Sequence, residues 1–355
     1  MGARLRIPGM ITIGGILLIG LIHPVGSRFA MSSVHRSETP SYAGFREIDP
    51  ARRHFIVVGD TQATSHWEFW RERNDWQRKR IIDEIARREP AFVVHLGDLT
   101  TRGSSDKHWR EHDEFRMTFR EKRIPYFPIL GNHEFYGNDK KALDSYFGRF
   151  AYLERRRWYS FVWKNVGLIL LDSNFSTLNA EQRQEQERWY RSELERFDRN
   201  GGIDYILVFC HEPPFTNSRV VGPSEKSKFY FADPFLRFGK ALLFFSGHSH
   251  TYERFEVEGK FFIVSGGGGG PRHKVSINPM KRAYTDLYPG PELRFFHFCE
   301  IEIGEMALHF RVVRLEADGT FTVTDPLTLP KPFPPGGDGE TGEIPVEHPE
   351  RNLIN

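Results

Sequence analysis

Five short apolar runs, each ending in a residue that carries chemistry, constrain this chain more than any other feature. Phe55–Val58 leads into Gly59 and Asp60, and Ala91–Leu96, apolar but for His95, leads into Gly97 and Asp98. Tyr126–Leu130 leads into Gly131, Asn132, His133 and Glu134, and Tyr205–Cys210 into His211. Ala241–Phe245 leads, past Ser246, into Gly247, His248, Ser249 and His250. Short continuous apolar runs read as strands buried on both faces, the habit of parallel sheets. Such sheets bind ligands beyond the carboxyl ends of their strands. The pattern therefore predicts an α/β fold that gathers Asp60, Asp98, Asn132, His211, His248 and His250 into one pocket of nitrogen and oxygen donors. Neutral imidazole and carboxylate together suit Zn, Fe or Mn.

Between the runs, amphipathic texture predicts helices over 69–88, 106–121 and 180–197, the first stopped by Pro90. Trp158–Trp163 with Val166–Leu171, and Phe295–Ile303 with Ala307–Arg314, read as hairpins. Pro213–Pro234 leaves directly from His211 and reads as a long loop with little periodicity. Its Arg219, Lys226, Lys228, Phe229 and Tyr230 are either substrate contacts or part of a solvated loop. The glycine run Gly266–Gly270 reads as a tight turn, since the lysine ending of a phosphate-binding loop is missing.

Across 355 residues, 49 basic and 47 acidic side chains leave a net charge of +2, so nothing demands a nucleic acid or an anionic membrane as partner. Two cysteines, Cys210 and Cys299, give no disulfide framework. Arg4 and Arg6 precede Met10–Ile22, apolar but for Thr12, and small residues follow. Residues 1–30 therefore read as a secretory signal. The alternative is an uncleaved membrane anchor, the chain's one expected membrane attachment. Either predicts an exported protein: periplasmic, extracellular, or anchored facing outward. Residues 31–52 read as a linker, 53–329 as the globular domain, and 330–355, rich in Pro, Gly and Glu, as a disordered tail.

The ordered set Gly59-Asp60, Gly97-Asp98, Gly131-Asn132-His133-Glu134, His211 and Gly247-His248-Ser249-His250 resembles the calcineurin-like metallophosphoesterases over roughly residues 53 to 325. The stretch from Gly247 to Arg254 looks most like the purple acid phosphatase branch. The resemblance implies a four-layer αββα sandwich, two mixed sheets flanked by helices, with two metal ions (Mn, Zn or Fe) at the strand ends. By the same resemblance Asp60 and His250 hold the first metal, Asp98 bridges both, and Asn132, His211 and His248 hold the second. His133, with Asn132, would contact substrate and protonate the leaving oxygen, its ring oriented by Glu134 or Asp139. Tyr252 and Arg254 would face the pocket, Arg254 stabilising transition-state charge. Trp67 and Tyr136 would line the entrance. Two positions depart from the family. Gln62 stands where many members carry His, and is a candidate ligand through its amide oxygen or a water. Thr101 stands where the purple branch has Tyr, so charge-transfer colour should be absent.

The implied activity is hydrolysis of a small-molecule phosphomonoester by hydroxide made available at two metals roughly 3.5–4 Å apart, which offset the anionic charge of the phosphoryl group. One alternative is a phosphodiesterase on the same site. Another is a non-catalytic binding protein that kept the fold, for which Gln62 and Thr101 are the only support. His66, His95, His273 and His297 have no place in the set and read as structural.

Overall fold

The computed structural model describes residues 39–65 and 70–332. The expected signal or anchor over 1–30, the first part of the linker, His66, Trp67 and the tail beyond 332 lie outside the described residues.

Among the described residues, twelve strands form two six-stranded sheets. The first sheet holds β1 (His54–Val58), β2 (Val93–His95), β3 (Tyr126–Pro128), β10 (His297–Ile303), β11 (Ala307–Leu315) and β12 (Phe321–Pro330), in the order β12-β11-β10-β1-β2-β3. Its β1, β2 and β3 are parallel, and an antiparallel meander extends it from β1 to β12. The second holds β4 (Tyr159–Trp163), β5 (Val166–Leu170), β6 (Tyr205–Cys210), β7 (Ala241–Ser246), β8 (Tyr252–Val257) and β9 (Lys260–Ser265), in the order β4-β5-β6-β7-β9-β8. Here β5, β6, β7 and β9 are parallel, with an antiparallel strand at each edge.

Alternation along the strands separates the layers. On β6, Leu207 and Phe209 join Phe55, Val57 and Phe310 in the core between the sheets, while Ile206 and Val208 face the other way. That outer face packs on Tyr190, Leu194 and Phe197 of a long helix, Ala180–Arg199. Helix Asp75–Arg88 puts Ile81, Ile82 and Ile85 into the main core. The result is the expected αββα sandwich of two mixed sheets flanked by helices.

Four local expectations differ from the structure. The first helix begins at Asp75 rather than near 69, and Glu72 just before it is clasped by Arg272. The helix expected over 106–121 is broken into Asp106–Phe115 and Met117–Glu121. At the break, Arg116 turns its guanidinium inward onto Tyr126 Oη, His112 O and Thr61 Oγ1. The described part of the expected linker is not a linker: Tyr42 is buried against Tyr126 and Phe150, and Phe45 stacks on Phe127. The stretch 213–234 is not all loop, because 225–235 is helical with a π-turn over Lys228–Ala232. Lys226 lies over the Phe175 ring, Lys228 over Phe215, and Arg219 pairs with Glu292. Among the described residues, no helix is long and apolar enough to cross a membrane.

Candidate metal centre

The carboxyl ends of β1, β2 and β3 in one sheet and of β6 and β7 in the other meet at one place. Backbone and side-chain bonds stitch the sheets together there. His211 Nδ1 donates to Leu96 O (2.7 Å), and the His248 amide donates to both oxygens of Asp60 (3.0 Å each). Gly268 N–H donates to Gly59 O (2.9 Å) and Gly270 N–H to Asp60 O (2.7 Å), so the glycine run packs against the first motif as a turn.

Turning sharply off a strand end strains the backbone. Asp60, Asp98 and His248 all sit in the left-handed region, at φ 58°, 57° and 64°. For a residue with a Cβ this costs about 1–2 kcal/mol each. Three such residues around one point are a pattern that structures maintain at functional sites. Gly97, at φ 91°, has no room for a side chain: a Cβ would lie 2.7 Å from both His211 Nδ1 and Gly131 N. The close approach of two strand ends therefore requires the glycine before Asp98.

Asp98 stands at the middle. Its ligand-capable atoms lie within 4.8 Å of those of His211 and His248 in one group, and of Asp60 and His250 in another. Asp98 Oδ1 is 3.4 Å from His211 Nε2 and accepts the His133 amide at 3.0 Å. Burial works against its ionisation, but His211, then His133 and His248, outweigh it and hold the carboxyl at about 2. Burial and the neighbouring His211 push His248 down to about 3, so its imidazole is neutral, as a metal ligand requires. Asp60 Oδ1 is 3.4 Å from His250 Nε2.

Two features of these side chains fit a cation. A carbonyl only accepts, so His211 carries its proton on Nδ1, against Leu96 O, and His250 on Nδ1, against Pro271 O at 2.8 Å. His211 then turns the Nε2 lone pair towards Asn132 Oδ1 (3.0 Å) and Asp98 Oδ1. Nitrogen and oxygen atoms with lone pairs thus converge on one point, an arrangement that suits a positive ion. The second feature is Gln62. Its Nε2 lies 3.2 Å from both Asp98 Oδ2 and His250 Nε2, while its Oε1 is buried without a partner. A half-turn of the amide exchanges the two atoms and adds an oxygen to the converging set.

His133 projects into the cleft beside this set, with Nε2 3.9 Å from Asp98 Oδ2. Its Nδ1 is held by the backbone oxygen of Thr101 at 2.9 Å. Neither Glu134 nor Asp139 orients the ring. Glu134 instead accepts four backbone N–H groups, from Asp98, Leu99, Thr100 and Gly131, at 2.8–3.2 Å. It thus clamps the β2 and β3 ends together.

A cleft of about 960 Å³ opens over the centre, lined by Asp98, Asn132, His133, His248 and His250, with Tyr136 at its wall as expected of an entrance residue. Tyr252 and Arg254 do not line it, contrary to expectation. Tyr252 Oη donates to Asp325 (2.5 Å), and Arg254 grips the same carboxylate through Nε and a terminal nitrogen at 2.9 and 2.8 Å. Both belong to β8, whose antiparallel pairing with β9 carries them away from the loop that bears His248 and His250. His273, read as structural, does line the cleft. Its ring stacks on that of His250 at 4.3 Å and 14°.

Imidazoles and carboxylates gathered at the strand ends of an αββα sandwich form a donor set suited to metal ions. The sequence profile of the calcineurin-like phosphoesterases matches residues 53–252, more than half of the chain, and the chain belongs to that family. It is 27% identical over 233 residues to purple acid phosphatase 21 of Arabidopsis thaliana, across 61% of this chain and 49% of the plant protein. It is 22% identical over 222 residues to a probable glycerophosphodiester phosphodiesterase of Arcobacter nitrofigilis, across 61% of this chain and 76% of that protein. The chain thus spans about half the length of the plant relative. Among solved structures, a dimetal phosphatase from Danio rerio superposes with a TM-score of 0.52 at 16% identity, over 79% of this chain and 99% of the other, and shares the fold.

Proposed function

We propose that this chain hydrolyses a small phosphomonoester at two metal ions. One would be held by Asp60, Asp98, His250 and Gln62, the other by Asp98, Asn132, His211 and His248. The observation that carries this reading is the membership of Asp98 in both ligand groups. A carboxylate has two oxygens and spans two ions; an imidazole does not. When bound, the ions supply charge neutralisation for the phosphoryl group and make hydroxide available near neutral pH. Which of Mn, Zn or Fe fills each position follows from ligand softness, and a Gln62 oxygen favours a harder ion than a histidine would.

The remaining work falls to the protein. Asn132 and His133 lie at the cleft wall, where they meet a bound phosphate ester. Thr101 O takes the Nδ1 proton of His133, so Nε2 faces the cleft and delivers a proton to the leaving oxygen when the ring is doubly protonated. Asp60 and Asp98 limit the net charge of the centre without cancelling it. Export accompanies this reading, motivated by the basic and apolar N-terminal segment. N-terminal sequencing of the mature protein checks it.

A diesterase on the same residues is the second reading. It is favoured by the Arcobacter relative, most of whose length this chain matches. A panel of chromogenic mono- and diesters, assayed with Mn, Zn, Fe and Co, separates the two. Turnover of diesters alone would remove the monoester reading, and turnover of neither would remove both.

A further inference from the structure

We propose that the phosphoester accepted here carries a second anionic group on its alcohol portion, held at the cleft mouth by Arg73, Arg102 and Lys107. This deepens the phosphoesterase reading and rests on it. The cleft, at about 960 Å³, lies at the top of the range of small-molecule sites and far exceeds the volume of one phosphoryl group. The scissile phosphate is met by the centre itself, which leaves the outer wall to recognise the rest of the molecule.

That wall has a surplus of positive charge. Its carboxylates Asp75 and Glu111 are both already met by the buried guanidinium of Arg78, at 2.9 and 2.7 Å. Arg73 and Lys107 form no ion pair among the described residues, and Arg102 reaches only the Ser104 hydroxyl, at 3.5 Å. All three are exposed. With Arg78 set against two carboxylates, Arg73, Arg102 and Lys107 still leave this wall net positive, in a chain almost balanced as a whole at 49 cations against 47 anions. They sit on the two segments that follow β1 and β2, the strands that deliver Asp60 and Asp98. Within a concave wall such charges concentrate their field on an entering anion. Phe135, Tyr136 and Val220 line the same cleft and give the carbon portion apolar surface.

The test compares bisphosphates of alkanediols with alkyl monophosphates of matching length, on the metal-loaded full chain. The bisphosphates should show kcat/KM about 10–100-fold higher, the scale of one or two charge-assisted contacts, carried mainly by KM. The ratio should shrink as salt rises. The double variant Arg102→Ala/Lys107→Ala should bring it to within about twofold of one while metal content and melting temperature hold. A ratio near one in the native protein, or one that survives in the double variant, overturns the proposal. Calorimetric titration with a propane bisphosphonate against propylphosphonate reads the same preference without turnover. If no ester is hydrolysed yet the bisphosphonate binds more tightly, catalysis is what fails and the anion subsite stands. Equal affinities dispose of the subsite.

Discussion

Around Asp98 the centre divides into a sealed half and an open half. Asp60, Gln62 and His250 are buried, and the glycine run closes behind them: a Cβ on Gly270 would lie 2.9 Å from the His250 ring. On the other side His211 is buried, but Asn132 and His248 are partly exposed at the cleft. The same donor chemistry thus meets two levels of solvent access. The half with Asp60, Gln62 and His250 is the more enclosed and touches the cleft through His250, whereas Asn132 and His248 stand at the cleft wall. On the two-metal proposal, the more enclosed half would mainly hold its ion and the more open half would meet substrate.

The most severe way to break the contrast is Asp98→Ala, which strips both halves of a ligand. Metal content should fall from about two ions per chain to near none, with turnover reduced on the order of 10³-fold or more. Elemental analysis and steady-state kinetics read both; retention of one full ion would show that Asp98 serves a single half. His133→Ala should leave both ions in place and slow turnover about 10²–10⁴-fold, as loss of a general acid does. Gln62→Ala sharpens the contrast further. It should weaken the sealed-half ion about 10–100-fold and leave the other unchanged, measured by chelator competition. Loss of both ions in parallel would mean that the halves are not independent.

Outside the centre, Arg254→Ala should cost about 3 kcal/mol by leaving the enclosed Asp325 carboxylate with the Tyr252 hydroxyl but no cation, and lower the melting temperature with no change in KM. A raised KM instead would return Arg254 to the pocket. The smallest effect is electrostatic and remote. Burial works against ionisation of Asp113, yet His112 and the two-pronged Arg149 bring it to about 2, below the ordinary carboxylate value. A depressed carboxyl stabilises the fold above its unfolded pKa, and that contribution is lost as pH falls towards 2. It amounts to about 2 kcal/mol. Acid titration of the melting temperature should steepen between pH 4 and 2, and Asp113→Asn should flatten it.

The strand ends were readable because each apolar run stops at a residue that carries chemistry, in four of the five cases by way of a glycine, and strand ends are where α/β sheets present side chains. Where recognition depended on distant partners it failed. Tyr252 and Arg254 follow His250 closely in sequence, but the carboxylate that claims them, Asp325, lies more than seventy residues on, in a strand with no marked signal. The orienting group of His133 is a main-chain carbonyl, and carbonyls leave no trace in side-chain identity. His273 stacks on His250 from a turn without periodicity, so only the fold reveals it. Tyr42 was read as linker because its neighbours are polar, though its own ring is core.

Each ligand group draws on both sheets: Asp60 and Asp98 come from one, His211, His248 and His250 from the other. An ion bound there acts as a rivet through the sandwich. Such an ion would add to the bond between His211 and Leu96, which already links the two layers there and fixes the ring's tautomer. On the two-metal proposal, the melting temperature should climb with the logarithm of free ion concentration.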